Sequence, residues 1–135
     1  MILVDSNIFM YAAGDLHPNK GPSVAWLERV ARAEIDAVVD AEVLQEILHR
    51  YRAIRRWKEG RQVYDRVRRL VPVVIPVGAE VLDRARALLD DHAHLVARDA
   101  LHAAVVQEHR LSGICSFDRD FDRIEGLSRT EPPPV

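Results

Sequence analysis

Residues 1–10 read MILVDSNIFM, and this stretch decides the fold. Four apolar residues end at Asp5, as expected of a short buried strand. Ser6 or Asn7 can then cap a helix over the apolar residues that follow. Side chains at such a strand-to-helix turn lie at the carboxyl edge of a sheet, where ligands of α/β proteins bind.

The rest of the chain alternates short apolar strands with helices. We expect strands at 37–39, at 113–117 and, in an edge position indicated by two prolines, at 71–77. Helical spacing predicts a helix after the loop at 14–22, one capped by Asp40, a basic helical region to Leu70 interrupted near Gly60, and helices over 79–91 and 98–111. This alternation favours an α/β fold, a three-layer sandwich with a central parallel β-sheet flanked by α-helices.

Apolar stripes predict the buried faces of three helices. The stripes are Val24, Leu27, Val30 and Ala31; Leu44, Ile47, Leu48 and Tyr51; and Leu82, Ala85, Leu88 and Leu89. We expect each stripe to face the sheet.

Size and composition restrict the class of protein. The 135 residues are 48% hydrophobic, enough for one domain with its own core. The apolar segments are too short to span a bilayer, and the single cysteine, Cys115, excludes an internal disulfide and a cysteine-based zinc site. We expect Cys115 to be buried, the protein to be cytoplasmic, and residues 132–135 to form an exposed Pro-rich tail.

Four acidic residues lie beside the predicted strands or in the helices between them. Asp5 ends the first strand, Glu46 lies in the helix after Asp40, Asp99 opens a helix, and Asp118 follows the last strand. Carboxylates at these places converge at one edge of a parallel sheet. Crowding raises their pKa values, whereas a hard divalent ion such as Mg²⁺ turns the repulsion into coordination. The pattern predicts a metal-dependent enzyme of phosphoryl or phosphodiester chemistry.

These acids also have structural explanations. Asp5 can be a helix cap, and Asp99 can stabilise the N-terminus of its helix. Glu46 shares a polar helix face with Glu42, so periodicity does not choose between the two glutamates. A haloacid-dehalogenase-like phosphatase needs a second aspartate at the position of Asn7, which argues against that class. The apolar residues after Asp99 indicate that its carboxylate lies near the core, where an unpaired charge is costly.

The turn after the last strand contains Asp118, Asp120 and Asp122. Their alternation suggests a calcium loop, but Arg123 stands where that loop needs glycine and Arg129 where it needs glutamate. Asp118 is nearest the strand end and is the preferred ligand. Asp120 or Asp122 remains an alternative that shares or replaces its role.

Positive charge is concentrated in one region, although the net charge is -2. Nine of the 19 Lys and Arg residues lie between Arg50 and Arg69, with Tyr51 and Trp57 among them. This region is either a solvated helical surface or a surface that neutralises phosphates and stacks on bases. The six histidines lack zinc-site spacing, and we expect His102 to be packed or hydrogen-bonded rather than a ligand.

Four segments resemble those of the PIN-domain ribonucleases, particularly the VapC toxins. The segments are DSN at 5–7, VLQE at 43–46, RDALHAA at 98–104 and SFDRDF at 116–121. The resemblance covers nearly the whole chain and implies a single PIN-like nuclease domain over 1–131. It implies that Asp5, Glu46, Asp99 and Asp118 are catalytic, and that Asp5, Asp99 and Asp118 hold Mg²⁺, or Mn²⁺, for RNA hydrolysis.

The resemblance also implies two protein partners. They are a second copy of the chain in a homodimer and a cognate antitoxin, a segment of which covers the active site. A housekeeping PIN nuclease of RNA maturation would carry the same residues without an adjacent antitoxin gene. A catalytically weak RNA-binding or protein-binding module is the third alternative, and the acids present at all four positions argue against it.

Overall fold

The computed structural model describes residues 1–135 and contains a five-stranded sheet in which every paired strand is parallel. The strands are β1 (Ile2–Val4), β2 (Ala37–Asp40), β3 (Val74–Ile75), β4 (Gly113–Cys115) and β5 (Arg129–Thr130). Their order across the sheet is β3-β2-β1-β4-β5. The predicted parallel sheet is confirmed, and β3 lies at an edge, as its flanking prolines indicate.

Helices cover both faces of the sheet. They are α1 (Ser6–Ala13), α2 (Lys20–Ala31), α3 (Ala41–Ala53), α4 (Trp57–Leu70), α5 (Ala79–Asp91) and α6 (Ala97–Glu108), with a short 3₁₀ helix at Arg119–Arg123. None of them is long and apolar enough to cross a membrane. Successive strand residues point to opposite faces, so Leu3 packs in a core under α5 and α6 while Val4 packs in a core under α1 to α4. This is the predicted three-layer α/β sandwich.

The carboxyl ends of the strands meet at one edge because the strands run in the same direction. Asp5 follows β1, Asp40 ends β2 and Ser116 follows β4. The backbone N–H of Asp5 donates to the carbonyl of Cys115 at 3.0 Å, which ties the ends of β1 and β4 together. Cys115 is buried, as predicted. The polar residues that follow the core strands therefore lie side by side.

The break in the basic helical region lies earlier than the sequence predicts. α3 ends at Ala53 and α4 begins at Trp57, and Arg55 turns the chain between them with a φ of 60°. Gly60, where we expect the interruption, is buried inside α4. A Cβ at Gly60 would lie 2.4 Å from the Cβ of Tyr51. The glycine therefore permits close packing of α4 on α3 and does not end a helix.

Two of the predicted apolar stripes are displaced around their helices. In α2 the buried residues are Ser23 and Trp26, whereas in α5 Val81 is buried with Ala85. Three predicted members are exposed instead: Val24, Ala31 and Leu82. The buried face depends on the direction from which a helix packs on the sheet, which the spacing of apolar residues alone does not determine.

The fifth strand has no apolar pattern and is not predicted by the sequence. The guanidinium of Arg129 fixes it by donating to the carbonyl of Ser116 at 2.9 Å and to the carboxylates of Asp122 and Glu131 at 2.8 and 2.7 Å. The tail that follows is only partly exposed, since Pro132 is buried and residues 133–135 are exposed. The expectation of a wholly exposed tail is therefore wrong at its first residue.

Candidate active site

A cleft of about 330 Å³ opens at the carboxyl edge of the sheet, and the four acids singled out in the sequence line it. Asp5 reaches it from the end of β1, Glu46 from α3, Asp99 from the first turn of α6, and Asp118 from the turn after β4. The other lining residues are Ser6, Asn7, Met10, His49, Arg50, Ala53 and Arg98. Four segments that are distant in sequence thus bring their carboxylates to one place.

Asp5 is held by hydrogen bonds from both sides. One carboxylate oxygen accepts from the backbone N–H of Ser6 at 2.8 Å, and the other accepts from the hydroxyl of Ser116 at 2.6 Å. Asp5 is itself the cap of α1, in place of Ser6 or Asn7. Burial raises the pKa of Asp5, although the charge of His102 and the bond from Ser116 oppose the rise. An ionised Asp5 therefore benefits from a positive partner in the cleft.

Glu46 is the glutamate of α3 that reaches the cleft. Its Oε2 accepts a short hydrogen bond from the hydroxyl of Ser6, and its Oε1 lies 2.7 Å from Nε2 of His102. Burial raises the pKa of Glu46, but the bonds from His102 and Ser6 and the charge of His102 outweigh it and lower that pKa overall. Glu42, the alternative left open by helical spacing, does not line the cleft.

A buried histidine lies between two carboxylates beside the cleft. Nδ1 of His102 is 2.7 Å from Oδ2 of Asp40, and Nε2 is 2.7 Å from Oε1 of Glu46. Burial lowers the pKa of His102, but the two hydrogen bonds and the nearby negative charges raise it well above its usual value. The sequence predicts a hydrogen-bonded His102 correctly, yet misses its place in the site. A signal exists, since His102 follows Asp99 by three residues and shares its helix face.

Asp5, Glu46 and His102 lie together as one group of possible ligands, and Asp99, Asp118 and Asp120 form a second group. In the second group, one carboxylate oxygen from each aspartate lies within 4.8 Å of the others. Burial raises the pKa of Asp99 to about 7, helped by the carboxyl of Asp118 and by the charge of Asp5. Asp118 also caps the 3₁₀ helix by accepting from the backbone N–H of Asp120 at 2.9 Å. Asp122 is bound to the Arg129 guanidinium instead and does not line the cleft. Of the two alternatives to Asp118, only Asp120 is near the other acids.

Comparison with known proteins agrees with this geometry. Residues 2–127 match the family model of the PIN domain. The chain belongs to the PIN-domain family. Ribonuclease VapC13 of Mycobacterium tuberculosis is 43% identical over 129 residues, which make up 96% of this chain and 98% of that protein.

Solved structures share the fold of this PIN domain. Mycobacterium tuberculosis VapC20, described as a sarcin-ricin loop cleaving toxin, has a TM-score of 0.76 at 18% identity, over 95% of this chain and 97% of that one. A chain of a toxin–antitoxin complex from Klebsiella pneumoniae has a TM-score of 0.69 at 20% identity, over 100% of both chains. The resemblance drawn from four short segments is therefore confirmed at the level of the family and the fold.

The donor set of this PIN domain suits a hard divalent cation. Asp5, Glu46, Asp99 and Asp118 bring carboxylate oxygens to the cleft, and Mg²⁺ and Mn²⁺ prefer such ligands. The imidazole of His102 is not a free ligand, because carboxylates contact both of its nitrogens. The raised pKa values of Asp5 and Asp99 have the direction expected for acids crowded without a cation. The buried acidic cluster is therefore consistent with a metal site.

Two arginines and a histidine line the PIN-domain cleft next to the acids. Arg50, Arg98 and His49 belong to its wall, and all three are exposed. Arg50 also lines an adjoining cleft of about 380 Å³, together with Arg56. The other basic residues between Arg50 and Arg69 line neither of these two clefts. The structure thus brings only part of the basic region to the acids, and it adds Arg98 from a different helix.

Proposed function

We propose that this PIN domain is a metal-dependent endoribonuclease of the VapC type, the toxin of a toxin–antitoxin module, and that it acts in the cytoplasm. One observation carries the proposal: carboxylates from four separate segments line a single cleft. Full-length similarity to Ribonuclease VapC13 supports RNA as the substrate class. Carboxylates that can hold a divalent ion, with arginines beside them, suit the hydrolysis of a phosphodiester bond.

Each acid has a proposed role in this reaction. Asp5, Asp99 and Asp118 hold the metal, which we take to be Mg²⁺ or Mn²⁺. When bound, the ion supplies positive charge that makes water more acidic and offsets the negative charge developing at phosphorus. Glu46 is ionised at neutral pH because its pKa is lowered. Its carboxylate would help to hold the ion through the attacking water, which it orients in line with the scissile P–O bond. The water oxygen bonds to phosphorus and gives up a proton to the solvent as the P–O bond breaks, and the leaving oxygen takes up a proton from the solvent.

The arginines of the cleft are proposed to bind the RNA strand. Arg50 and Arg98 lie in the wall that the carboxylates also line, so a phosphate near the acids lies within their reach. Each phosphate that they bind releases counter-ions from the RNA, which makes binding dependent on salt. This positive charge offsets the repulsion between an acidic cleft and a polyanionic substrate.

Cleavage of a defined RNA pool tests the proposal. Protein free of antitoxin should cleave RNA with Mg²⁺ or Mn²⁺, and EDTA should stop the reaction. Asp5→Asn should abolish cleavage, whereas Asp65→Asn, which changes an exposed aspartate of α4, should cleave like the parent. Full activity in EDTA would rule out a metal-dependent mechanism. Binding of RNA without cleavage under either metal would favour the alternative of a binding module.

We infer two protein partners. The Klebsiella pneumoniae structure is described as a toxin–antitoxin complex, which supports a cognate antitoxin as a partner of this chain. A segment of that antitoxin would cover the acidic cleft and block RNA, so co-purified antitoxin should suppress cleavage until it is removed. We also propose a homodimer. Light scattering of the purified chain should then give the mass of two copies, and the mass of one copy would contradict this proposal.

A further inference from the structure

Asp40, His102 and Glu46 form a line of hydrogen bonds of which only one end reaches the cleft. Asp40 and His102 are both 0% exposed and do not line the cleft, whereas Glu46 does. Nε2 of His102 contacts Glu46 at 2.7 Å and lies 3.9 Å from Oδ1 of Asp5. Asp40 and His102 can therefore affect a bound ion or substrate only through the acids of the cleft.

Packing alone does not explain this buried polar pair. Asp40 and His102 lie among core residues, since their neighbours Val39 and Ala103 are also 0% exposed. Removing a carboxylate and an imidazole from water is costly, and apolar residues of similar volume commonly replace buried ionic pairs without loss of stability. A polar pair at this position therefore indicates a requirement of the adjacent site.

The hydrogen bonds fix the carboxylate of Glu46 on two sides. Its Oε2 accepts from the hydroxyl of Ser6 and its Oε1 is engaged by His102. Asp40 uses its two oxygens separately: Oδ1 accepts from the backbone N–H of Val43 at 2.9 Å, and Oδ2 contacts Nδ1 of His102. One aspartate thus caps the helix that carries Glu46 and also holds the ring that contacts the Glu46 side chain.

We propose that Asp40 and His102 are positioning residues of the acidic cleft: His102 donates from Nε2 to Glu46 and holds its carboxylate toward the cleft, and Asp40 fixes the His102 ring. The inference rests on the proposed nuclease function and adds two residues to it. A glutamate without such partners samples several staggered rotamers, so its carboxylate would leave the geometry that the cleft needs. Partners behind the ligands of a metal site typically change metal affinity or activity about 10-fold to 100-fold when they are removed.

Two substitutions of His102 separate positioning from packing. The side-chain amide nitrogen of glutamine reaches about the place of Nε2, and that of asparagine reaches about the place of Nδ1. His102→Gln therefore keeps a donor toward Glu46, whereas His102→Asn keeps only a contact toward Asp40. The matched control is His109→Asn, which changes an exposed histidine at the end of α6.

The first measurement is Mn²⁺ affinity by calorimetry in the absence of RNA. His102→Asn should bind Mn²⁺ about 10-fold to 100-fold more weakly than the parent, and His102→Gln should remain within about threefold. In RNA cleavage, His102→Asn should lower kcat by a similar factor and leave the KM for RNA unchanged. Thermal melts should show comparable folding of the two variants. Any other order of metal affinities, including equal losses in both folded variants, would overturn the proposal.

Failure of the nuclease function would be distinguishable from failure of this inference. If the parent binds Mn²⁺ but does not cleave RNA, the proposed function is wrong, while the order of the metal affinities still decides the role of His102. If neither variant folds, or the parent binds no Mn²⁺, nitrogen NMR of the parent decides the role of His102. A proton on Nε2 of His102 whose resonance moves in Glu46→Ala supports positioning, and an Nε2 without a proton contradicts it.

Discussion

Asp99→Asn should make the metal-free protein more stable at pH 8 and leave its stability unchanged near pH 4. Asp99 is 7% exposed, and burial together with Asp118 raises its pKa from 3.8 to about 7. Between these two values the folded protein holds a proton that the unfolded chain has released. The contribution of Asp99 to the free energy of unfolding is therefore unchanged below about pH 4, becomes less favourable as the pH rises to about 7, and is constant above that.

The magnitude follows from the two pKa values. The interval from 3.8 to about 7 corresponds to about 4 kcal/mol, at about 1.4 kcal/mol for each pH unit. The carboxylate lines an open cleft in which water and counter-ions screen it, so we expect about half of that, about 2 kcal/mol. Asparagine also loses the favourable interaction of an acid with the first turn of α6, about 0.3–1 kcal/mol. Relief of the buried and crowded charge is the larger effect, which leaves Asp99→Asn more stable by about 1–2 kcal/mol at pH 8.

Denaturant unfolding in EDTA at pH 4, 6 and 8 measures this difference, with Asp65→Asn as the control. Excess Mg²⁺ should reverse the order, because an ion at 100 times its Kd adds about 2.7 kcal/mol to the parent and less to a variant that lacks one of the ligands. A variant less stable than the parent at pH 8 without metal would refute the reasoning. So would a difference that stays constant between pH 4 and pH 8, because the burial of Asp99 and its crowding by Asp118 require that difference to grow with pH.

Other residues give predictions of different kinds. Replacing Arg50 and Arg98 by glutamine should weaken RNA binding and reduce its log–log salt slope by about 0.7 for each phosphate that is no longer neutralised; an unchanged slope would make them solvated surface residues. Gly60→Ala should lower the free energy of unfolding by about 1–3 kcal/mol, because its Cβ would lie 2.4 Å from that of Tyr51; denaturant unfolding without any loss would contradict close packing there. Ala33→Gly should raise that free energy by about 0.5–1 kcal/mol, because Ala33 has a φ of 58° that glycine adopts at lower cost, and a lower unfolding midpoint would contradict this.

The central strands and the acids that follow them are predictable from the sequence because both depend on short-range patterns. The apolar runs of β1 and β4 are bounded by Asp5 and by the turn that carries Asp118, so the strand ends and the acids are read together. β5 is different, since Arg129 and Thr130 have no apolar pattern. That strand is held by its backbone pairing with β4 and by the hydrogen bonds of the Arg129 guanidinium, and these bonds exist only after the sheet has formed.

Gly60 illustrates how a local signal can be assigned to the wrong cause. A glycine within a helical pattern indicates either an interruption or a close approach of another segment. The sequence alone favours the interruption, but the packing partner, Tyr51, lies in the preceding helix. The chain turns at Arg55 instead, which adopts a left-handed φ without being glycine. The choice between the two meanings of Gly60 depends on the angle at which α3 and α4 pack.

Asp40 shows why sequence patterns miss the place of His102 and what would find it. The sequence predicts Asp40 as a helix cap, and Oδ1 has that role through the N–H of Val43. A cap on the surface needs no further partner, because water can bind its second oxygen. A cap that ends a central strand is removed from water, so its second oxygen requires a donor from the protein. His102 is 62 residues from Asp40 in sequence, but it lies on α6, the helix whose first turn brings Asp99 to the same edge of the sheet. Counting the hydrogen bonds that a buried carboxylate needs, and not only recognising the cap, therefore leads from Asp40 to His102.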